Sequence, residues 1–286
     1  MALAPRAVVL AGGGTGGHIF PALALAEAIR RRDPETRVSF MGTERGLETR
    51  LVPAAGVALD LVPAAQIAGR SLLRKARGAI VLLRGVWRAR ALLRAREAGL
   101  VIGVGGYASV PAVVAAALAR IPVALLEPNA RPGRANRALA RFARAIFVQF
   151  EDARAAFPAG RVEALGYPVR EIPKRAAAPA SGPLRLLVLG GSQGARSLNQ
   201  ALCALLPRLE LDGVAIAHQT GAADLDAVRA AYATAGVEAE VAAFFDDVPE
   251  RLARADLLIA RAGAYLYSRQ VLALLTAAAQ GTAEGG

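Results

Sequence analysis

Two glycine-rich segments lie far apart in the chain, and each follows a short aliphatic run and precedes a helical pattern. The first covers residues 12–17 (GGGTGG), and the second covers residues 190–194 (GGSQG). Glycine lets the backbone approach a bound group closely, and the helix that follows offers unpaired N–H groups and the positive end of its dipole. The pattern predicts two α/β domains with a cleft between them for an anionic or sugar-bearing ligand.

Aliphatic runs alternate with helical patterns through the first 170 residues, which predicts a parallel sheet covered on both faces. The predicted strands are 7–11, 37–41, 100–104, 122–127, 145–149 and 161–165. The predicted helices are 20–31, 72–96, 109–120 and 133–144.

Residues 172–183 contain three prolines and one glycine and have no apolar periodicity, so they predict a linker. A second α/β series follows it. Its predicted strands are 184–189, 214–219, 238–242 and 256–260, and its predicted helices are 197–209, 224–235 and 248–254. The predicted organisation is an N-terminal domain over 1–171, the linker, and a C-terminal domain over 184–286.

The chain is strongly basic, with a formal net charge of +12 over 286 residues. Nine basic residues and no acidic residue fall between Arg70 and Arg96, so this stretch carries most of the excess. Such an excess predicts an anionic partner: a nucleic acid, a phosphorylated substrate or an anionic lipid.

The basic stretch also has apolar residues at roughly helical spacing, which predicts an amphipathic helix on a membrane surface. The apolar positions are Leu72, Leu73, Ile80, Leu83 and Trp87, with Arg74, Lys75 and Arg84 among the basic residues around them. A core helix with a solvated basic face is the alternative. No aromatic–basic interleaving or known motif supports a nucleic-acid partner, and none is expected. Residues 98–119 carry no charge, but glycines and Pro111 interrupt them, which favours a buried strand and helix over a membrane span.

Several candidate functional residues follow predicted strands. Gly12, Gly14 and Gly17 fit the dinucleotide-binding pattern G-x-G-x-x-G, with Glu44 as a candidate ribose ligand, whereas neither glycine segment continues into a P-loop. His18 stands where the first segment turns into its helix. Residues 105–107 and 127–129 each end a predicted strand, so both lie at the carboxyl edge of the sheet, where open α/β folds bind ligands.

Six segments together carry a family resemblance. They are 12–21 (GGGTGGHIFP), 105–107 (GGY), 127–129 (EPN), 166–170 (GYPVR), 190–195 (GGSQGA) and 244–247 (FFDD). Over about residues 8–264 the chain resembles the MurG family, the N-acetylglucosaminyltransferases of bacterial peptidoglycan synthesis. The resemblance implies the GT-B fold, which has two Rossmann-like doubly wound α/β domains with an interdomain cleft, the second domain being incomplete here.

The resemblance also implies an activity. Family members move N-acetylglucosamine from UDP-N-acetylglucosamine (UDP-GlcNAc) to undecaprenyl-pyrophosphoryl-MurNAc-pentapeptide (lipid I), with inversion at the anomeric carbon, and form lipid II. The implied partners are UDP-GlcNAc, lipid I and an anionic membrane surface, and the implied location is peripheral, on the cytoplasmic face of the bacterial plasma membrane. No cofactor is implied, and the sequence shows no metal-ligand spacing, so no metal site is expected.

Site residues carry over from the family position by position. A sugar hydroxyl needs a base to remove its proton, for which His18 is the first candidate and Glu127 the second. The implied donor-binding residues are Thr15, Gly16, Gly17, Asn129, Arg170, Ser192 and Phe245. The implied acceptor-binding residues are Gly13, Gly14, Gly105, Gly106 and Tyr107.

The match ends after Ala264, where Arg269 stands in place of a glutamate that holds the donor ribose in the family. This departure predicts weak or absent transferase activity. The alternative function is therefore an inactive, truncated remnant that binds membrane or lipid I without catalysis. An NAD(P)-dependent oxidoreductase is a more distant alternative.

Overall fold

The computed structural model describes residues 6–65, 72–166, 182–191 and 194–260, and of residues 72–75 it describes only the backbone. The chain divides into two compact units between Val169 and Arg170. Most of the predicted linker, residues 172–181, lies outside the described residues.

The first unit is built on a seven-stranded sheet with the order β3-β2-β1-β4-β5-β6-β7. Its strands are β1 (Ala7–Gly12), β2 (Arg37–Gly42), β3 (Ala58–Leu61), β4 (Leu100–Gly105), β5 (Val123–Glu127), β6 (Ala145–Val148) and β7 (Val162–Ala164). Every neighbouring pair is parallel, so all seven carboxyl ends meet at one edge. The strand order reverses direction between β1 and β4, and loops that diverge at such a point open a crevice.

Five α-helices connect these strands. They are α1 (Gly16–Arg32), α2 (Glu48–Ala54), α3 (Leu72–Ala95), α4 (Ser109–Leu118) and α5 (Arg134–Leu139). Short 3₁₀ turns follow α5 at Ala140–Phe142 and precede β7 at Glu151–Ala156. The buried strands are almost entirely aliphatic, as expected for a parallel sheet with helices on both faces.

Helix α3 buries one narrow stripe and exposes the opposite face. Val86, Ala89 and Leu93 join the main core of the first unit. A Cβ added to Gly85 would collide with the Pro63 carbonyl and lie 3.2 Å from Cγ of Pro111, so the helix packs tightly there.

The second unit has a four-stranded parallel sheet with the order β10-β9-β8-β11. Its strands are β8 (Leu184–Leu189), β9 (Val214–Gln219), β10 (Ala239–Ala242) and β11 (Leu257–Ala260). Its helices are α6 (Arg196–Leu205), α7 (Leu225–Thr234) and α8 (Val248–Arg254), with a 3₁₀ turn at Leu206–Arg208. Separate apolar clusters form on the two faces of this sheet, one under α6 and α7 and one under α8.

The predicted α/β architecture is confirmed in both units. All ten predicted strands are present with ends within two residues of the prediction, whereas β3 and α2 were not predicted. The predicted single helix over 133–144 is wrong, because α5 stops at Leu139 and a 3₁₀ turn follows. Residues 98–119 form β4 and α4 as expected, and no helix in the described ranges is long and apolar enough to cross a membrane.

Candidate functional site

Three loops of the first unit meet at the carboxyl edge of its sheet, after β1, β4 and β5. β1 and β4 run side by side up to a register shift at Ala11/Gly12, beyond which Gly12 pairs with Gly105. A Cβ on Gly12 would collide with the side chain of Val104, so only glycine lets the strands approach this closely at their ends. The first glycine segment and residues 105–107 are therefore neighbours in space.

His18 lies between these two loops. Its Nδ1 is 3.2 Å from Oγ1 of Thr15, the residue that precedes α1. A Cβ added to Gly105 would lie 2.8 Å from the imidazole Cδ2, and one added to Gly106 would lie 2.9 Å from the Gly13 carbonyl oxygen. The histidine therefore rests directly on backbone that side chains cannot cover.

Burial lowers the pKa of His18 below its usual value, which keeps the imidazole neutral at pH 7. The negative charge of Glu127, a hydrogen bond to the Gly13 backbone and the charge of Glu48 act in the opposite direction and raise this pKa. A neutral imidazole close to carboxylates can accept a proton and hold it as the imidazolium, as a general base must.

Glu48, the first residue of α2, is a site residue that sequence reasoning missed. Its side chain is completely buried. Oε2 accepts a hydrogen bond of 2.9 Å from the Gly14 N–H, and Oε1 accepts bonds from the N–H and hydroxyl of Thr43 at 3.0 and 2.8 Å. Glu44, the candidate ribose ligand of a dinucleotide site, is exposed four residues earlier.

Glu127 ends β5 and is buried with both carboxylate oxygens occupied. Oε1 accepts hydrogen bonds from the N–H and side-chain amide of Asn129 at 3.0 and 2.8 Å. Oε2 accepts from the Gly133 N–H at 2.9 Å and from Nδ2 of Asn136 at 3.1 Å. The four donors fix the β5–α5 loop, so the geometry suits Glu127 as an anchor of that loop. Its charge also acts on His18.

Asn136, on α5, is a second residue that the sequence analysis did not single out. Its Nδ2 also donates a 3.0 Å hydrogen bond to the Leu126 carbonyl, which fixes the orientation of the amide. Its Oδ1 is buried and has no hydrogen-bond partner among the described residues. A buried amide oxygen in this state is an acceptor that a bound hydroxyl, amide or water can satisfy.

The β4–α4 loop closes the site on its other side. Gly105 and Gly106 have positive φ angles of 101° and 77°, which glycine adopts without strain. The Ser109 hydroxyl and N–H both donate to the Gly106 carbonyl, at 2.9 and 3.3 Å, and Tyr107 lies between them on the half-exposed part of the loop.

The second glycine segment follows β8 and packs on the carboxyl end of β9. A Cβ on Gly190 would lie 2.9 Å from the Gln219 carbonyl oxygen, and one on Gly194 would collide with the Thr220 carbonyl oxygen. Of the predicted donor-binding residues, Ser192 and Arg170 lie outside the described residues, as does Arg269.

A buried polar cluster supports this second loop from below. Asn199 of α6 donates from Nδ2 to the Thr220 carbonyl at 2.9 Å and to Oδ2 of Asp224 at 2.8 Å. Its Oδ1 lies 3.1 Å from Nε2 of His218, whose Nδ1 lies 3.3 Å from the Tyr232 hydroxyl. Burial lowers the pKa of His218 to about 4 and raises that of Tyr232 to about 12. His218 is therefore a structural group of the interior.

Phe245, implied to pack near the donor's uracil, lies after β10 and is buried. Its N–H donates a 2.9 Å hydrogen bond to Oε1 of Gln219. The guanidinium of Arg251 stacks on its ring, 3.8 Å from the centroid, and forms ion pairs with Asp247 and Glu240 at 2.7 and 2.6 Å. The hydrogen bond from Arg251 lowers the pKa of Asp247. The two ion pairs hold the arginine on the aromatic face, beside an open groove.

The predicted membrane-binding helix is α3. Ile80, Leu83 and Trp87 are 57%, 61% and 72% exposed, with Arg84 exposed among them. They recur at i, i+3 and i+7 and so share one side of the helix. The side chains of Leu72, Leu73, Arg74 and Lys75 lie outside the described residues.

A metal centre does not emerge from the geometry. Within the described ranges, no three His, Cys, Asp or Glu side chains are grouped in a way that could hold a metal ion. The acidic residues of the site are instead occupied by backbone and amide donors.

Family models match both units of the chain. The N-terminal domain model of glycosyltransferase family 28 matches residues 8–148, and the C-terminal domain model of the same family matches residues 185–266. The chain therefore belongs to glycosyltransferase family 28, and its two parallel-sheet α/β units agree with the GT-B fold that the resemblance implied.

Curated relatives define a narrower group. Two of them share the name UDP-N-acetylglucosamine--N-acetylmuramyl-(pentapeptide) pyrophosphoryl-undecaprenol N-acetylglucosamine transferase. The protein from Pelobacter propionicus is 43% identical over 90% of this chain and 75% of its own length. The protein from Myxococcus xanthus is 43% identical over 90% of this chain and 68% of its own length. The chain thus spans about three quarters of the length of the first of these relatives and slightly less of the second.

Solved structures agree with this assignment. The MurG structure from Acinetobacter baumannii is similar with a TM-score of 0.62 at 32% identity, covering 91% of this chain and 73% of that protein. A putative UDP-N-acetylglucosamine 2-epimerase from Listeria monocytogenes also reaches a TM-score of 0.62, at 14% identity over 92% of this chain and 76% of that chain, which shows the shared fold alone.

Proposed function

We propose that this chain transfers N-acetylglucosamine from UDP-GlcNAc to lipid I and forms lipid II, the reaction for which its relatives are named. The single observation that carries the proposal is the placement of His18, a neutral histidine resting between two glycine loops at the carboxyl edge of a family 28 domain. The N-terminal unit, over about residues 1–171, takes the acceptor, and residues 184–286 take the nucleotide-sugar donor.

His18 is the proposed base. The acceptor hydroxyl attacks the anomeric carbon while the imidazole removes its proton, and the bond to UDP breaks on the opposite face of the sugar. Glu127 and Glu48 favour the imidazolium that forms, because both place negative charge near the ring. Glu127 is the alternative base, although the four donors on its carboxylate favour its role as the anchor of the β5–α5 loop.

The leaving UDP gains negative charge, which N–H groups at helix N-termini and an arginine can stabilise. The proposed donor contacts are Thr15, Gly16, Gly17, Asn129, Arg170, Ser192 and Phe245. The proposed acceptor contacts are Gly13, Gly14, Gly105, Gly106 and Tyr107. The positive φ angles of Gly105 and Gly106 support their part, because a bound diphosphate can approach such backbone closely.

Helix α3 is the proposed membrane contact. Its exposed aliphatic and tryptophan side chains can enter the headgroup region, and the arginines around them attract anionic lipid. Peripheral binding at the cytoplasmic face of the membrane would bring the domain to a lipid-linked acceptor.

Transfer by the full chain and by His18→Ala, with UDP-GlcNAc and lipid I, tests this function. We expect the variant to lose at least about 100-fold in turnover, in line with removal of a general base. Donor binding measured by calorimetry should remain, because the proposed base is not required to hold the nucleotide. Near-normal turnover of His18→Ala would remove this residue from the catalytic role. Lipid I binding without turnover by the unmodified chain would favour the non-catalytic alternative.

A further inference from the structure

Glu48 is a fully buried carboxylate to which the proposed reaction assigns no proton transfer and no substrate contact, and it lies against the loop that carries His18. The side chain leaves α2 and reaches back to the first glycine segment, 34 residues earlier in the chain. Its three hydrogen bonds come from two loops, those after β1 and after β2, so the carboxylate ties these loops together.

Three glycines make room for this carboxylate. A Cβ on Gly13 or Gly46 would collide with its oxygens, and one on Gly42 would lie 2.8 Å from its Cγ. Because these three residues are glycines, the backbone packs directly against the Glu48 side chain on three sides and restricts it to one position. Burying an ionised carboxylate is unfavourable unless it is fully hydrogen-bonded, which the Gly14 and Thr43 donors achieve here.

The same loop backbone supports His18. The Gly13 carbonyl lies beside both the imidazole and Gly106: the backbone of Gly13 is hydrogen-bonded to the ring, and a Cβ on Gly106 would lie 2.9 Å from the carbonyl oxygen. The Gly14 N–H belongs to the same planar peptide group as this carbonyl, so its hydrogen bond to Glu48 fixes the orientation of the peptide plane. That N–H group is also already paired with an anion, so the loop holds its shape before any diphosphate arrives.

We propose that Glu48 is a positioning residue for His18, and that its carboxylate fixes the Gly13–Gly14 backbone on which the imidazole rests. The inference deepens the function proposed above and rests on it for its catalytic meaning. In the described part of the chain, the charged groups that act on His18 are Glu127 from the end of β5 and Glu48 from α2.

Histidine NMR tests the proposal without reference to turnover, because the chain contains only His18 and His218. In Glu48→Gln, an amide cannot accept hydrogen bonds at both oxygen positions, so the Gly14 N–H loses its acceptor or Thr43 loses its own. We expect the His18 ring resonances to move and the pKa of His18 to fall, because one of the charges that raise it is gone. Glu44→Gln is the matched control, since it removes the same charge from an exposed position nearby and should leave His18 unchanged.

Gly46→Ala is the second variant, used if Glu48→Gln does not fold. It keeps the carboxylate but places a methyl group where Oε2 now lies, and it should displace the same His18 resonances. Unchanged His18 shifts and an unchanged His18 pKa in the folded variants would overturn the proposal. An equal change in the His18 resonances and pKa in Glu44→Gln would also overturn the proposal, because the loss of any nearby negative charge would then explain the effect. If the unmodified chain shows no transferase turnover, this counts against the proposed function alone, because the NMR measurement does not depend on turnover.

Discussion

Nε2 of His218 lies 3.1 Å from Oδ1 of Asn199 inside the second unit, and this contact determines the tautomer of the imidazole. Both donors of the Asn199 amide are committed to Thr220 and Asp224, so its oxygen must accept. His218 therefore carries its proton on Nε2 and accepts at Nδ1 from the Tyr232 hydroxyl. Burial disfavours a second proton on this ring and lowers the pKa of His218 to about 4.

This pKa predicts acid sensitivity of the second unit. An unfolded histidine binds its proton near pH 6.5, whereas native His218 binds it only near pH 4. Between these values the unfolded state holds more protons, so stability falls as the pH is lowered, by up to about 1.4 kcal/mol per pH unit. Amide hydrogen exchange of β8 and β9, corrected for intrinsic rates, should show weaker protection at pH 5 than at pH 7. Equal protection free energies at the two pH values would contradict the assignment.

Asn199→Ala should destabilise the second unit by about 2–4 kcal/mol, because it removes the partners of His218, Thr220 and Asp224 together in a buried place. Denaturant unfolding measures the change. Gln200→Ala, on the exposed side of the same helix turn, is the control and should change stability by no more than about 0.5 kcal/mol. Similar losses in both variants would show that the helix, and not the polar cluster, is responsible.

Gly106→Ala should abolish most transferase activity while the fold survives. Its Cβ would press on the Gly13 carbonyl oxygen at 2.9 Å and come within 3.5 Å of the His18 ring. Displacement of the proposed base by about 1 Å is expected to reduce turnover about 100-fold.

Gly160→Ala separates this effect from backbone strain. Gly160 has a φ of 79°, nearly the same as the 77° of Gly106, but a Cβ there would meet nothing within 4 Å. Both variants should lose thermal stability to the positive φ, Gly106→Ala more because of its contact with the Gly13 carbonyl, and only Gly106→Ala should lose turnover. Equal turnover in the two variants would argue against close packing at the His18 site.

Trp87 offers a direct readout of membrane binding, because it is the single tryptophan and is 72% exposed. Its emission should shift to the blue with vesicles that contain anionic lipid, and salt should reverse the shift by screening the arginines. Trp87→Ala should weaken vesicle co-sedimentation about tenfold, as expected for one large apolar side chain. Leu118→Ala is the control, because it removes a leucine that is 61% exposed on α4, and it should leave vesicle co-sedimentation unchanged. Equal binding to neutral vesicles would contradict the electrostatic part of the proposal.

The strands were predictable because a parallel sheet buries both faces and leaves aliphatic runs such as Leu184–Leu189 in the sequence. β3 gives no such signal: Ala58–Leu61 is a four-residue edge strand that is partly exposed and contains Asp60, which pairs with Arg96. α2 has only seven residues and carries Pro53 within it, so its periodicity is too short to detect.

The proximity of the glycine loops and His18 in the candidate site was predictable, because glycines after strands and a histidine at a helix start are visible in the sequence. Glu48 gives no such signal, since an isolated glutamate in a polar segment is normally solvated. Its burial depends on Gly13, Gly42 and Gly46, which come together only when β1 and β2 pair in register. Asn136 was missed for a similar reason, because its partner Glu127 lies on another element nine residues away.

The glycine pocket around Glu48 constrains how this chain can diverge. Alanine at Gly46 collides with the carboxylate of Glu48 and alanine at Gly42 presses on its Cγ, whereas a shorter side chain at position 48 no longer reaches the Gly14 N–H. Each change alone is damaging, whereas a smaller residue at 48 together with alanine at 42 or 46 refills the volume. We therefore expect positions 42, 46 and 48 to covary among homologues, with glycine at 42 and 46 wherever glutamate is kept at 48.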